Sequence, residues 1–107
     1  MSETLKCGLI GANIRRTRLP LALDIMARTE GMTLDFTAVD TEHDASFDFA
    51  TTVDMMRQDG WDGVTVTHPH KTEAAVYAGS AMDSEVAHLG ASNLLVFAPR
   101  LSGWNTD

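Results

Sequence analysis

The chain has 107 residues, of which 44% are hydrophobic and 21% charged, a composition typical of one folded domain and too apolar for a disordered one. Its formal net charge of −7 argues against a nucleic-acid-binding surface, and no apolar run approaches the roughly 18 residues that a membrane helix needs. The first residues do not read as a secretory signal, and the single cysteine, Cys7, cannot form an internal disulfide. We therefore expect a cytoplasmic protein without nucleic-acid or membrane partners.

The first half of the chain predicts alternating strands and helices. Apolar runs and period-two alternation indicate the strands, and apolar residues at helical spacing indicate the helices. Pro20 favours the first position of a helix and Gly31 the position after its end. The polar residues Asp35, Asp40 and Glu42 are expected to face water. The predicted elements are strands at 5–12 and 34–40 and helices at 20–30 and about 49–59.

The second half predicts the same alternation and then a hairpin. A β-branched strand at 63–67 ends before Pro69. The remaining predicted elements are helical stretches at 71–78 and 82–89, a strand at 92–98 and a return strand that starts at 101. Strands that alternate with helices predict an α/β fold, here a three-layer sandwich with a mostly parallel sheet and at least one antiparallel strand.

Four polar loops could carry chemistry. They lie at residues 13–19, 67–71, 90–93 and 103–107. Ligands of open α/β sheets bind outside the carboxyl ends of the parallel strands, where the first two loops would converge. Each loop taken alone is only weak evidence for a ligand site.

The order and spacing of four motifs are more specific. Residues 8–11 (GLIG), followed by Ile14 and Pro20, resemble the opening strand and substrate loop of the shikimate and quinate dehydrogenase family. Residues 65–71 (TVTHPHK) resemble the family's Asn-Val-Thr-Ile-Pro-His-Lys signature at five of seven positions, and residues 90–93 (GASN) resemble Gly-Ala-Val-Asn. Residues 103–107 (GWNTD) match Gly-x-Asn-Thr-Asp. The resemblance covers the whole chain and implies the N-terminal, substrate-binding domain of such an enzyme.

The resemblance also implies roles for particular residues. Lys71 and Asp107 would form the catalytic pair, in which an ammonium held by a carboxylate stabilises a developing alkoxide and exchanges the hydroxyl proton. Thr67 and Asn93 would contact substrate hydroxyls. Thr17 would take the place of one of the two family serines that grip the substrate carboxylate.

The substrate loop departs from the family pattern, which reads Ser-x-Ser-Pro after a histidine. Here Arg16 precedes Thr17, and Leu19 replaces the second serine, where it is a poor residue for the expected N-cap of the helix. Arg16 and Arg18, with Arg15, either bind a carboxylate or phosphate beside the helix N-terminus or are solvent-exposed charges. Both interpretations stay open, and the changed loop weakens the case for shikimate itself as the substrate.

Two other patterns are weak. His68 and His70 have the spacing of one strand face, but no cysteine or carboxylate neighbour completes a metal site, so we expect none. His68 replaces a family aliphatic residue and is expected at the pocket wall. Gly8 and Gly11 do not make the Gly-x-Gly-x-x-Gly turn that binds dinucleotides.

The resemblance implies an oxidoreductase of aromatic amino acid biosynthesis that interconverts shikimate and 3-dehydroshikimate, or a related cyclic hydroxy acid, with NADP or NAD. The dinucleotide would bind a C-terminal domain absent from residues 1–107, so we expect this chain alone to bind no cofactor and to be inactive. A stand-alone carboxylate-binding module and an interaction domain are the alternatives. A homo-oligomer stays open.

Overall fold

The structure is a computed structural model that describes residues 3–14, 17 and 19–106. Among these residues no helix combines the length and apolar character needed to cross a bilayer. The predictions for Arg15, Arg16, Arg18 and Asp107 lie outside the described residues. The strands are β1 (Thr4–Gly11), β2 (Thr33–Asp40), β3 (Gly63–Val66), β4 (Leu94–Val96) and β5 (Ser102–Trp104). The helices are α1 (Leu19–Thr29), α2 (Phe49–Gln58) and α3 (Lys71–Ala78), with short 3₁₀ turns at Gly79–Ala81 and Ala87–Leu89.

The strands described here form one mixed sheet in the order β2-β1-β3-β4-β5. The second strand in this order, β1, pairs in parallel with both β2 and β3. The hairpin of β4 and β5 adds two antiparallel pairings at the edge. Four of these five strands therefore run in the same direction, which confirms the predicted sheet.

Helices cover both faces of the sheet. On one face, Ile10, Val64 and Leu95 pack with residues of α2 and α3 in a core where these three side chains are almost fully buried. Because successive strand side chains alternate between faces, Cys7 and Thr65 point to the opposite side, where they line a cavity with Leu23 of α1. The structure thus has the predicted three layers.

The face below α1 is only partly covered. Its cavity has a volume of about 680 Å³ and is lined mainly by β1, β3 and β4. Cys7 is half-buried there, and this burial, with the nearby Asp62 and Asp35 carboxylates, raises the pKa of its thiol. A thiol with a raised pKa stays protonated near neutral pH, so Cys7 serves as a packing group here.

The helix predicted over residues 82–89 is wrong. Met82 instead forms a bridge with Gly103, and the Asp83 amide donates to the Gly103 carbonyl at 2.8 Å. The bridge holds Met82 in an extended conformation, with φ −62° and ψ 138°, so a helix does not start there. Only the 3₁₀ turn at Ala87–Leu89 remains, and Gly90 ends it with a positive φ of 64°.

Candidate active site

The loops after the parallel strands are joined by backbone hydrogen bonds at the carboxyl edge of the sheet. The Thr67 amide donates to the Ile10 carbonyl at 2.9 Å, and the Ala12 amide donates to the His68 carbonyl at 3.0 Å. The loop after β1 and the loop after β3 therefore form one wall. This is the location that the rule for open α/β sheets predicts for a ligand site.

Thr67 lies between two clefts. The larger, about 520 Å³, extends from Thr67 towards the start of α1 and is lined by Leu9, Ala12, Asn13, Ile14, Thr17, Leu19 and Thr67. The smaller, about 290 Å³, lies on the Lys71 side and is lined by Thr67, His68, Pro69, Lys71 and Thr72. Three residues predicted to contact substrate, Thr17, Thr67 and Lys71, thus line adjoining space. His68 lies at the wall of the smaller cleft, as expected from the sequence.

Backbone contacts bring the Asn93 segment to the same edge. The Val66 amide donates to the Asn93 carbonyl at 2.8 Å, and the Ser92 amide donates to the Lys71 carbonyl at 2.8 Å. Lys71 is the first residue of α3 and is half-buried, so its position is fixed by the helix and by the hairpin. Segments separated by more than 20 residues in the sequence meet here.

The last two motifs are bound to each other. The side-chain nitrogen Nδ2 of Asn93 donates to Thr106 Oγ1 at 2.8 Å, and the Thr106 backbone amide donates to Asn93 Oδ1 at 3.1 Å. Ser92 is fully buried, and its hydroxyl contacts the carbonyls of Leu94 and Trp104. The orientation of Asn93 is therefore set by Thr106, one residue before Asp107.

Asp40 does not face water, so that prediction is wrong. It is half-buried at the end of β2, and its two carboxylate oxygens accept the amides of Asn13 at 3.0 Å and Ile14 at 3.3 Å. Asn13 has a positive φ of 57°, which turns both amides towards the carboxylate. Asp35 and Glu42 are exposed, as predicted.

His70 is a buried structural residue. Its Nδ1 lies 2.6 Å from Glu73 Oε1 and its Nε2 lies 2.7 Å from Thr41 Oγ1, while the Phe47 and Phe49 rings pack against the imidazole. The tautomer decides which ring nitrogen donates: with the proton on Nδ1, the ring donates to Glu73 and Nε2 accepts from Thr41. His68 is exposed, and no group of three or more His, Cys, Asp or Glu among the described residues could hold a metal ion.

The start of α1 differs slightly from the prediction. The helix begins at Leu19, so Leu19 is its first residue rather than its N-cap. The Leu19 amide donates to Thr17 Oγ1 at 3.3 Å, and the Thr17 amide donates to the Ile14 carbonyl at 3.2 Å. Thr17 is exposed beside the larger cleft, and Leu19 adds an apolar wall there.

The glycines of the first motif serve packing. A Cβ on Gly8 would lie 2.7 Å from the Trp61 ring and would overlap the Thr37 carbonyl oxygen. A Cβ on Gly11 would overlap the Thr67 methyl group and lie 3.1 Å from an Ile14 methyl group. Other residues of the domain therefore fill the space beside both glycines, so no room is left there for a bound phosphate.

Sequence reasoning missed Asp40 and Thr41 as parts of this edge, and it gave no structural role to His70 or Thr106 within their predicted loops. A signal for the first two was present, because Asp40 ends a predicted parallel strand and Thr41 follows it, at the same edge as the residues after β1 and β3. Their position at the start of an acidic stretch obscured it.

The family comparison matches this geometry. The model of the shikimate dehydrogenase substrate binding domain matches residues 9–95, so the chain belongs to this family. It is 32% identical over its full length to a shikimate dehydrogenase (NADP⁺) of Brucella ovis, of which it covers 36%. It is 29% identical over 98% of its length to a quinate/shikimate dehydrogenase (NAD⁺) of Corynebacterium efficiens, of which it covers 38%.

Solved structures have the same fold. Quinate dehydrogenase from Corynebacterium glutamicum in complex with NAD superposes with a TM-score of 0.84 at 25% identity, over 98% of this chain and 38% of the other. An Ael1 enzyme from Pseudomonas putida gives a TM-score of 0.80 at 26% identity, over 97% of this chain and 36% of the other. The chain thus spans little more than a third of the length of these relatives.

Proposed function

We propose that this chain binds the cyclic hydroxy acid in a shikimate- or quinate-type dehydrogenase that uses NADP or NAD. The convergence of Thr17, Thr67 and Lys71 on adjoining clefts, with Asn93 joined to the same edge by backbone bonds, is the observation that supports it. The chain's place in an oxidoreductase family makes this chemistry the natural one for such a site.

The residues of this chain would hold the acid and move a proton. A bound nicotinamide would supply or accept the hydride at the carbon of the secondary alcohol. In the reduction direction the Lys71 ammonium would donate a proton from Nζ to the developing alkoxide, and in the oxidation direction the neutral Lys71 amine would take up the hydroxyl proton. Asp107 would orient the Lys71 ammonium, and hydroxyl and amide groups of Thr67 and Asn93 would bind the ring hydroxyls. Thr17, with Arg16 and Arg18, would bind the carboxylate. The dinucleotide would bind a further domain of the full-length enzyme.

The substrate-binding part can be tested on the 107-residue chain itself. Titration with quinate or shikimate, followed by amide chemical shifts in NMR, should move the signals of Thr67, Lys71 and Asn93. Cyclohexanecarboxylate, which lacks the ring hydroxyls, should bind more weakly because the hydroxyl contacts are lost.

Lysine variants supply a matched comparison. Lys6 and Lys71 are the two lysines of the sequence, and Lys6 lies in β1 with its ammonium 2.9 Å from Asp59. Lys71→Met should weaken quinate binding by about tenfold or more, since a hydrogen bond to a charged group is lost. Lys6→Met should leave the affinity unchanged. If neither acid shifts any signal at millimolar concentration, the proposed function is wrong.

A further inference from the structure

The carboxyl end of β2 contacts both loops that form the wall of the candidate site, the loop after β1 and the loop after β3. Asp40 binds the loop after β1 through the amides of Asn13 and Ile14. The next residue, Thr41, donates its amide to the Gly11 carbonyl at 2.9 Å and places its hydroxyl 2.7 Å from His70 Nε2. Two adjacent residues thus hold segments that lie 26–30 positions away in the sequence.

The Asp40 contact leads directly to Thr17. The Asp40 carboxylate fixes the Ile14 amide, the Ile14 carbonyl accepts the Thr17 amide, and the Thr17 hydroxyl accepts the Leu19 amide. Asn13, Ile14, Thr17 and Leu19 all line the 520 Å³ cleft. Asn13 adopts a positive φ of 57°, and the two carboxylate oxygens of Asp40 accept the amides on either side of this turn.

The Thr41 contact leads directly to Lys71. His70 precedes Lys71 at the start of α3, and its ring is held by Thr41 on one side and by Glu73 on the other. The ring is 8% exposed, so a lost partner would leave a buried nitrogen unsatisfied. The position of the first turn of α3 therefore depends on Thr41.

We propose that Asp40 and Thr41 form one positioning unit that fixes the Thr17 loop and the Lys71 helix relative to each other, and so sets the affinity for the hydroxy acid. This inference rests on the proposed function. Neither residue is assigned a contact with the substrate. Asp40 acts through the backbone of residues 13 and 14, and Thr41 acts through His70.

Matched substitutions on one strand test the unit. Asp40→Ala removes both acceptors, whereas Asp40→Asn keeps one oxygen and turns an NH₂ group towards a backbone amide. Thr41→Val removes the hydroxyl at nearly constant volume. Asp35→Asn and Thr37→Val make the same chemical changes at exposed positions of β2 and serve as controls.

Quinate affinity and urea unfolding are measured for each variant, with amide hydrogen exchange at Asn13 and Ile14. Asp40→Ala should weaken quinate binding by about tenfold and abolish the exchange protection of both amides, with Asp40→Asn intermediate. Thr41→Val should weaken binding while leaving the protection of these two amides in place. The controls should match the wild-type chain.

The outcomes separate the two proposals. Wild-type binding with unchanged affinity in both Asp40 variants and in Thr41→Val would overturn the positioning unit and leave the proposed function standing. The positioning unit would also be overturned if the Asp35 and Thr37 controls weakened quinate binding as much as the Asp40 and Thr41 variants do, with each loss of affinity in proportion to the loss of stability. A wild-type chain that binds no hydroxy acid would overturn the proposed function and this inference with it.

Discussion

Replacing Gly11 by alanine should damage the candidate site in a predictable direction. The added methyl group would overlap Cγ2 of Thr67 and lie 3.1 Å from Cγ2 of Ile14, where about 3.5–4.0 Å is the favourable carbon–carbon separation. Thr67 is β-branched and its amide is bound to Ile10, so its methyl group cannot rotate away at low cost. Overpacking of this kind costs about 1–3 kcal/mol of the free energy of unfolding.

A second substitution isolates the cause. Thr67→Ser removes the overlapping methyl group and keeps the hydroxyl, at a cost of about 1 kcal/mol for the lost methyl. In the double variant Gly11→Ala with Thr67→Ser the new methyl occupies the vacated space. The double-mutant cycle should therefore show a favourable coupling of about 1–2 kcal/mol.

Urea unfolding and quinate titration together provide the assay. For a domain of this size, about 1 kcal/mol corresponds to roughly 4–8 °C in Tm, so the Gly11→Ala loss is large enough to resolve. Quinate affinity should fall in Gly11→Ala and recover partly in the double variant, because the side chain at position 67 returns to its place. Gly8→Ala should destabilise the fold through the Thr37 carbonyl and Trp61 without this rescue. Additive effects of Gly11→Ala and Thr67→Ser would refute the packing argument.

Three further predictions concern other parts of the structure. Asn93→Ala should lower the free energy of unfolding by about 1 kcal/mol. In a Thr106→Val background the further loss should be smaller, because the bond from Asn93 to Thr106 Oγ1 is already gone and only the bond from the Thr106 backbone amide remains to be lost. Strictly additive losses in urea unfolding would contradict this. Hydrogen bonds from the Thr51 hydroxyl and amide hold the pKa of Asp48, the N-cap of α2, below its ordinary value. The stabilisation by Asp48 is therefore fully present above the ordinary pKa and is lost as the pH falls through the lowered pKa. Asp48→Asn should make unfolding less sensitive to acid, as followed by circular dichroism, and an unchanged pH profile would show that this cap does not contribute. Burial raises the pKa of Cys7, so at pH 8 iodoacetamide should alkylate Cys7 more slowly than it alkylates the thiol of glutathione, as followed by mass spectrometry. Equal rates for the two thiols would contradict the burial argument.

Local pattern was sufficient for most of the fold. Period-two alternation predicted β2 to within one residue at its start, because one face of that strand is more buried than the other. The helix at Lys71–Ala78 was predicted at both ends because Pro69 precedes it and Gly79 follows it. The stretch at 82–89 could not be predicted locally, because its backbone pairs with Gly103, which lies some 20 residues later in the chain.

The sequence by itself determined the class of fold, the family and the candidate residues Thr17, Thr67, Lys71 and Asn93, because short motifs and hydrophobic periodicity are local properties. Only the tertiary structure decided that Asp40 and Thr41 take part at this edge. A solvated acid and a carboxylate bound to the amides of Asn13 and Ile14 have the same local sequence, and they differ only in what lies about 27 residues away. Parallel pairing brings the ends of β1, β2 and β3 together, and this long-range contact turned a polar loop residue into part of the site.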